Sequence, residues 1–322
     1  YNDIFLLHNS SGKLNGVKES IFMENIKDYS GRWRWNMVND FRPQSIESSG
    51  IKCYPTANYV NYYGMQNGYP INDMTKADAE SGYDPTHPWK NRDPRFYKTI
   101  MFDGVKWKST GGAGGTAELF TGGRESEEAN EKKGCFTAYM NSKLCPQLMN
   151  TVDGYKENNI MILSLMRLAD VYLMYAEATA VGYNGPKGKA ATYSLTAEEA
   201  LNKIRERAGV APVLDKFLGS TADFLSELRR ERAVELSFEG FRFIDLRRWM
   251  LLTQYPYTLK TKIEFDRADP SDYNYDEPEE NAIKNLREVV LLERKYTDRH
   301  YWYPLPKKDV SMYEGFYQNP GW

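Results

Sequence analysis

The chain has few of the residues that build disulfide frameworks and metal centres. It contains three cysteines and three histidines among 322 residues. Neither set shows the CxxC or helical His spacing that zinc sites use, so we expect no metal site and no histidine-based catalysis. An odd number of cysteines also argues against a disulfide framework, although a bridge between Cys135 and Cys145 stays open because pairing cannot be deduced from sequence.

The chain also lacks an excess of charge of one sign and any long apolar run. Its 42 Lys and Arg residues nearly balance its 44 Asp and Glu residues, whereas a nucleic-acid binder is expected to be clearly cationic. The longest apolar run, around residues 160–166, is interrupted by Ser164 and followed by Arg167, which excludes a transmembrane helix of about 20 residues. The start at Tyr1 shows no secretory signal, so we expect a longer precursor.

Aromatic residues are abundant, and their surroundings divide the chain into two regions. Tyr, Phe and Trp make up 14% of the residues, and such rigid rings either fill a core or stack on a ligand. Residues 1–155 are rich in turn signals such as Asn67-Gly68 and Asp93-Pro94, which predict loops with short strands or helices, the usual setting of a binding site. Residues 156–322 are predicted to form a helical scaffold followed by a carboxy-terminal tail.

Apolar spacing and capping signals predict the helices of this scaffold. Apolar residues recur at intervals of four and three from Ile162 to Ala180, which predicts one helix. The Thr196-x-x-Glu199 pattern is a capping box that begins another. The predicted helices are 162–182, 196–209, 220–240 and 241–252. After Tyr255 the helical pattern fades.

The helical pairs partly match tetratricopeptide repeats. Leu168-Ala169-x-x-Tyr172 occupies helix A positions, Ala200-x-x-x-Ile204 fits helix B, and Pro212 closes the unit. The loop 182–195 makes this unit longer than the standard repeat of about 34 residues. The predicted fold class is mainly α, with tetratricopeptide-like helical hairpins that support long irregular loops with short strands.

Three glutamates follow one another at helical i, i+4 spacing: Glu231, Glu235 and Glu239. Like charges at this spacing repel unless they are neutralised. A carboxylate pair for glycoside hydrolysis is one interpretation. An Arg–Glu network between helices is favoured, because neighbouring arginines keep carboxylates ionised whereas a general acid needs a raised pKa. We therefore predict that Glu235 or Glu239 contacts an arginine of an adjacent helix and that neither touches ligand.

An acidic segment partly resembles a calcium loop. Asp272-x-Asn274-x-Asp276 provides the first three ligand positions, but Glu277 stands where glycine is needed and Ile283 where the bidentate glutamate should be. We predict a solvated acidic loop over 269–280 and no metal ion.

One longer run carries a family resemblance. The segment 166–178, MRLADVYLMYAEA, resembles the SusD/RagB family of Bacteroidetes outer-membrane nutrient-binding lipoproteins. Further matching segments follow in order along almost the whole chain: 54–56, 67–71, 91–96, 200–209, 229–249, 303–306 and 318–322. The family's amino-terminal portion, with its lipoprotein signal, lipidated cysteine and earlier helical repeats, has no counterpart here, so the chain is expected to be one SusD-like domain lacking that part.

The resemblance implies a function as well as a fold. It implies a surface-exposed outer-membrane lipoprotein that sits as a lid on a TonB-dependent SusC-like transporter and delivers nutrients to it. The ligand is usually an oligosaccharide, or a peptide in RagB-like members, and neither catalysis nor a cofactor is implied. A glycoside hydrolase remains the least favoured alternative.

The richest candidate ligand platform lies in the segment 29–36. A sugar presents a C–H face edged by hydroxyl groups, so a site needs flat rings beside polar groups. The segment supplies both: Tyr29, Arg32, Trp33, Arg34, Trp35 and Asn36. On a strand Trp33 and Trp35 would point to the same side, although tryptophans are also highly buried on average. Reserve candidates are Tyr62, Tyr63 and Trp89.

Overall fold

The computed structural model describes most of the chain: residues 1–6, 14, 16–25, 54–71, 78–108, 113–129, 131, 134–145 and 162–322. Within these ranges the fold is mainly α. The helices are α1 Asn2–Phe5, α2 Ala57–Val60, α3 Phe96–Thr99, α4 Leu168–Gly182, α5 Ala197–Ala208, α6 Thr221–Glu235, α7 Phe241–Arg248 and α8 Lys307–Val310. The strands are β1 Ser20–Asn25, β2 Ile100–Met101, β3 Met140–Asn141, β4 Ile162–Arg167, β5 Leu259–Arg267 and β6 Ile283–Glu293. No helix among the described residues has the length and apolar character needed to cross a bilayer.

Helices α4, α5 and α6 pack around a core of small and branched residues. Leu173, Leu201 and Leu228 are all fully buried there, and the alanines of α4 and α5 allow the two helices to approach closely. The predicted capping box is present at the start of α5, where Thr196 and Glu199 each satisfy a backbone amide of the other. These features confirm the predicted helix 196–209.

The predicted helix 162–182 is only partly correct. Residues 162–167 form strand β4, which pairs antiparallel with β1, and helix α4 starts at Leu168. Strand partners so distant in sequence leave no local signal, so the apolar spacing of Ile162 and Met166 was wrongly extended into the helix. The predicted helices 220–240 and 241–252 are shorter than expected, because α6 ends at Glu235 and α7 at Arg248.

A long β-hairpin follows the helices where no element was predicted. Strands β5 and β6 pair antiparallel from Leu259↔Glu293 to Arg267↔Ile283. In β5 Thr261, Ile263 and Phe265 are buried, and the residues between them are half-buried. This alternation has a period of two and is a strand signal, which a helical period of 3.6 does not match.

The second and larger core is aromatic. It is built from short elements of the segments 54–71 and 78–145, as far as these are described, together with the buried face of β5. Trp89 packs against Phe102 and Phe265, with ring centroids 5.0 and 5.2 Å apart. Phe96 stacks on Phe102 at 5.2 Å. Much of the high aromatic content therefore serves to fill this core.

Candidate functional site

The predicted platform residues Tyr29, Arg32, Trp33, Arg34, Trp35 and Asn36 lie outside the described residues. The reserve candidates are described. Tyr63 and Trp89 are fully buried; the Tyr63 hydroxyl donates to Ser237 Oγ at 2.7 Å, and Trp89 Nε1 donates to the Tyr139 hydroxyl at 3.3 Å. Both rings belong to the aromatic core, so their selection as ligand contacts was wrong. Tyr62 is half-buried and lies at the surface.

The glutamates of α6, and Glu239 just beyond its end, are held in a buried ionic network. Glu235 is fully buried and forms ion pairs with Arg95 at 2.8 Å, Arg167 at 2.5 Å and Arg207 at 2.5 Å. Arg207 lies on α5, so the predicted contact with an arginine of an adjacent helix is confirmed. Glu239 pairs with Arg167 and with Lys143, each at 2.7 Å.

The network keeps its carboxylates ionised. Burial by itself would raise the pKa of Glu235, but the guanidiniums of Arg167, Arg207 and Arg95 outweigh burial and hold this pKa well below its usual range. Burial likewise opposes the ionisation of Glu227. Arg230 and Arg205 outweigh this effect and lower the pKa of the Glu227 carboxyl to about 2. A general acid requires a raised pKa, so these carboxylates are suited to a structural role and not to acid catalysis.

A different arrangement lies beside Tyr62, where six tyrosine, arginine and lysine side chains gather at the start of the β5–β6 hairpin. We call it the cationic tyrosine cluster, and it consists of Tyr62, Arg242, Tyr257, Lys260, Arg294 and Tyr296. The Arg242 guanidinium carbon lies 4.8 Å from the centroid of the Tyr62 ring and 5.5 Å from that of Tyr257. Arg294 lies 5.8 Å from the Tyr296 ring in the same way.

The positive charges of this cluster have no acidic partner among the described residues. Arg242, Lys260 and Arg294 form no ion pair with a carboxylate in that part of the chain. Burial and the repulsion from Arg294 and Arg242 lower the pKa of Lys260 to about 8. The cluster thus combines ring faces with uncompensated positive charge, a chemistry suited to an anionic ligand.

A polar cleft of about 420 Å³ lies elsewhere, between Gln66, Asn67, Gly82 and Asn91. The Asn67 amide is engaged with the backbone oxygen of residue 81 at 3.0 Å, whereas the Asn91 side chain makes no hydrogen bond to the described residues. Among the described residues no aromatic ring lines this cleft, so its polar groups suit sugar hydroxyls but supply no ring for stacking on a sugar face.

The described residues hold no cluster of three or more His, Cys, Asp or Glu side chains suited to a metal ion. In the acidic loop, Asn274 Oδ1 accepts hydrogen bonds from the backbone amides of Asp276 and Glu277 at 3.0 and 3.2 Å, so it is used to shape the loop. Cys135 is a free, buried thiol, and no Cys135–Cys145 bridge forms. Burial raises the pKa of Cys135 to about 11, which makes the thiol unreactive near neutral pH.

Sequence reasoning missed the cationic tyrosine cluster because its members come from four separate segments. Tyr62 follows α2, Arg242 lies in α7, and Lys260 and Arg294 lie near the paired ends of β5 and β6. The alternation within β5 could have placed Lys260 on the face opposite Thr261. Nothing in the sequence indicates that α7 approaches that face.

Comparison with known proteins identifies the family. The model of the SusD family matches residues 18–322. A SusD-like protein from Bacteroides fragilis shares 21% identity at a TM-score of 0.66, over 95% of this chain and 55% of its own. A SusD-like carbohydrate-binding protein from Bacteroides fragilis shares 20% identity at a TM-score of 0.63, over 97% of this chain and 56% of its own. This chain therefore spans a little over half the length of these two structures, and the likeness shows a common fold.

A comparison with curated protein sequences finds no match. The family model nevertheless covers nearly the entire chain, including the segments 166–178, 200–209 and 229–249 that carry the sequence resemblance. The chain belongs to the SusD family.

Proposed function

We propose that the protein is a non-catalytic glycan-binding protein of the bacterial surface. The observation that carries the proposal is the family match over residues 18–322, together with the fold shared with a SusD-like carbohydrate-binding protein. In this proposal the protein is an outer-membrane lipoprotein, and it passes bound oligosaccharide to a TonB-dependent SusC-like transporter.

The proposed division of labour follows the two regions of the chain. Residues 1–155 form the loop-rich ligand-binding region, and residues 156–322 form the scaffold and carboxy-terminal tail. Within the scaffold we interpret α4 to α7 as tetratricopeptide-like hairpins. The packing of α4 against both α5 and α6 supports this interpretation.

The proposed ligand platform is the segment 29–36. Its residues are Tyr29, Arg32, Trp33, Arg34, Trp35 and Asn36. Indole rings at positions 33 and 35 would stack on the C–H face of a sugar, and the guanidinium and amide groups would bind its hydroxyls. The composition of the segment supports this assignment, because rigid rings and polar groups are combined within eight residues.

The paired state of the α6 carboxylates supports a binding role over hydrolysis. Glycoside hydrolysis needs one carboxyl group with a raised pKa, whereas those of Glu227 and Glu235 are lowered. A peptide ligand of the RagB type is the alternative within the same family. A hydrolase is the least favoured interpretation.

A binding screen distinguishes these functions. The purified protein is applied to an oligosaccharide array and a peptide pool, and a reducing-end assay follows any turnover. We expect oligosaccharide binding without turnover. Exclusive peptide binding would support the alternative, and sugar turnover would contradict a binding-only role.

The platform is tested with Trp33→Ala and Trp35→Ala, each measured for affinity and melting temperature. Tyr183→Ala is the matched control, because the Tyr183 ring is 55% exposed and lies in the scaffold. We expect the tryptophan variants to fold normally and to lose about 0.5–1.5 kcal/mol of binding free energy, the range for one aromatic stacking contact. Normal folding with unchanged affinity in both variants would exclude this platform.

A further inference from the structure

The geometry of the β5–β6 hairpin brings two cations of the cationic tyrosine cluster onto one face. Lys260 lies opposite Leu292 in the strand pairing, and the Arg294 amide donates to the Thr258 carbonyl oxygen at 2.9 Å. Directly opposite residues of paired strands project to the same face, and so do residues two apart on one strand. The side chains of Lys260 and Arg294 therefore leave the hairpin on the same side.

Helix α7 contributes the third cation. Arg242 is half-buried between the rings of Tyr62 and Tyr257, at 4.8 and 5.5 Å from their centroids. Contacts of this kind orient a guanidinium, since the ring face attracts the cation. No carboxylate of the described ranges forms an ion pair with Arg242. The side chain is thus fixed in place while its hydrogen-bonding fork remains suited to a carboxylate or sulfate.

The cluster contrasts with Lys143 and Arg167, two buried cations that have carboxylate partners. Lys143 is fully buried, and its ammonium group lies 2.7 Å from Glu239 and 2.8 Å from the Ser237 carbonyl oxygen. Arg167 is almost fully buried and is paired with Glu235 and Glu239. In these places the fold supplies the counter-charge that a buried ion requires.

The surroundings of Lys260 differ from those of Lys143 and Arg167. It is partly buried and lies near Arg242 and Arg294, and the charges that act on it are both positive. An ordinary solvated lysine would stand free in water, whereas this one is withdrawn from water beside like charges. Such an arrangement costs folding free energy, and an anion bound between the three groups would remove that cost.

We propose that the cationic tyrosine cluster binds the acidic group, a carboxylate or a sulfate, of an anionic oligosaccharide. This inference rests on the proposed glycan-binding function and assigns its ligand to the acidic class. The arginines offer forked donors to the acidic oxygens and Lys260 adds a point charge. The tyrosine rings provide apolar faces for the sugar that carries the acidic group.

The test uses a library of oligosaccharides in matched pairs, in which each carboxylated or sulfated sugar is accompanied by its carboxyl-reduced or desulfated counterpart. Affinities are measured by calorimetry for the parent protein and for Arg242→Gln, Lys260→Gln and Lys189→Gln. Lys189 is an exposed lysine of the loop between α4 and α5, so its variant removes the same charge outside the cluster. Comparing the carboxylated with the sulfated pairs tells which acidic group is preferred.

We expect the parent to bind acidic members at least about tenfold more tightly than their neutral counterparts, as hydrogen bonds to charged groups allow. Arg242→Gln and Lys260→Gln should lose most of this preference for the acidic member of each pair, and Lys189→Gln should keep it. Equal parent affinity within pairs, or a preference that survives both cluster variants, overturns this inference and leaves glycan binding intact. Absence of binding to any oligosaccharide overturns the proposed function and this inference with it.

Discussion

Arg167 and Glu235 form a buried ion pair between the residue that precedes α4 and the last residue of α6. Arg167 Nη1 lies 2.5 Å from Glu235 Oε1, and Arg167 Nη2 donates to the Glu235 backbone oxygen at 2.6 Å. The two side chains are 1% and 0% exposed. One guanidinium therefore neutralises the carboxylate and also satisfies a carbonyl at the carboxyl end of the helix, where intrahelical donors are absent.

Removal of the Glu235 charge should destabilise the protein strongly. Glu235→Gln leaves three arginines without their shared counter-charge, and breaking a buried pair costs about 3–5 kcal/mol. Chemical denaturation measures the free energy of unfolding. Glu206→Gln is the control, because Glu206 is 76% exposed and its substitution should cost less than about 1 kcal/mol. Unchanged stability of Glu235→Gln together with lost ligand binding would contradict the structural role.

The same carboxylates predict how stability depends on acid. The pKa of Glu227 is lowered from 4.5 to about 2 in the folded protein, so the unfolded state binds protons first as the pH falls. The stabilisation is present in full above pH 4.5 and is lost between pH 4.5 and about 2. We expect nearly constant melting temperatures from pH 7 to 5 and a steep decline below pH 4.5. A fall in melting temperature that is complete above pH 5 would show that groups other than these carboxylates control acid unfolding.

Lys260 should impose a stability cost with the opposite pH dependence. Its pKa falls from 10.5 to about 8 on folding, so below pH 8 both states are protonated and the cost is present in full. Between pH 8 and 10.5 the unfolded state binds more protons, and stability rises with pH.

Lys260→Met should therefore be more stable than the parent at pH 7 by up to about 3.5 kcal/mol, since the pKa falls from 10.5 to about 8 and each pKa unit corresponds to about 1.4 kcal/mol. The difference should shrink towards pH 10, as followed by denaturation at several pH values. Lys189→Met controls for the loss of a surface charge. A Lys260→Met variant less stable than the parent at pH 7 would show that the ammonium group has a stabilising partner.

Trp89 should be essential for the aromatic core and unnecessary for ligand contact. Trp89→Ala removes a fully buried ring, for which losses of about 3–5 kcal/mol are typical. The control is Trp302→Ala, because the Trp302 ring is 58% exposed and should matter little. Melting curves report stability, and titration of the folded fraction should give parental affinity. Reduced affinity with normal stability would return Trp89 to the candidate ligand contacts.

The sequence was most informative where the causes of structure are local. The capping box of Thr196 and Glu199 and the end of α5 at Gly209 depend on residues within a turn of one another, and both are present as predicted. The i, i+4 spacing of Glu231, Glu235 and Glu239 likewise required neighbouring cations. Arginine was the expected partner, and Arg207 of the adjacent helix occupies that role.

Local pattern was misleading where partners are distant. The apolar spacing from Ile162 continued smoothly into α4, although residues 162–167 pair with β1 more than 130 positions earlier. The strands β5 and β6 were missed for a related reason, since their pairing energy comes from one another and from the core below. The sequence of one strand does not show which distant strand will pair with it.

The roles of individual rings and charges depended on the tertiary structure. Composition showed that aromatic rings are abundant, but burial assigned Tyr63 and Trp89 to the core and left Tyr62 at the surface. The sequence by itself determined the family, the scaffold helices around Leu168–Ala208 and the need for an Arg–Glu network, because these follow from contiguous residues. Only the tertiary structure decided which cations have no carboxylate partner within the described ranges, because charge compensation depends on distances between side chains that lie far apart in the chain.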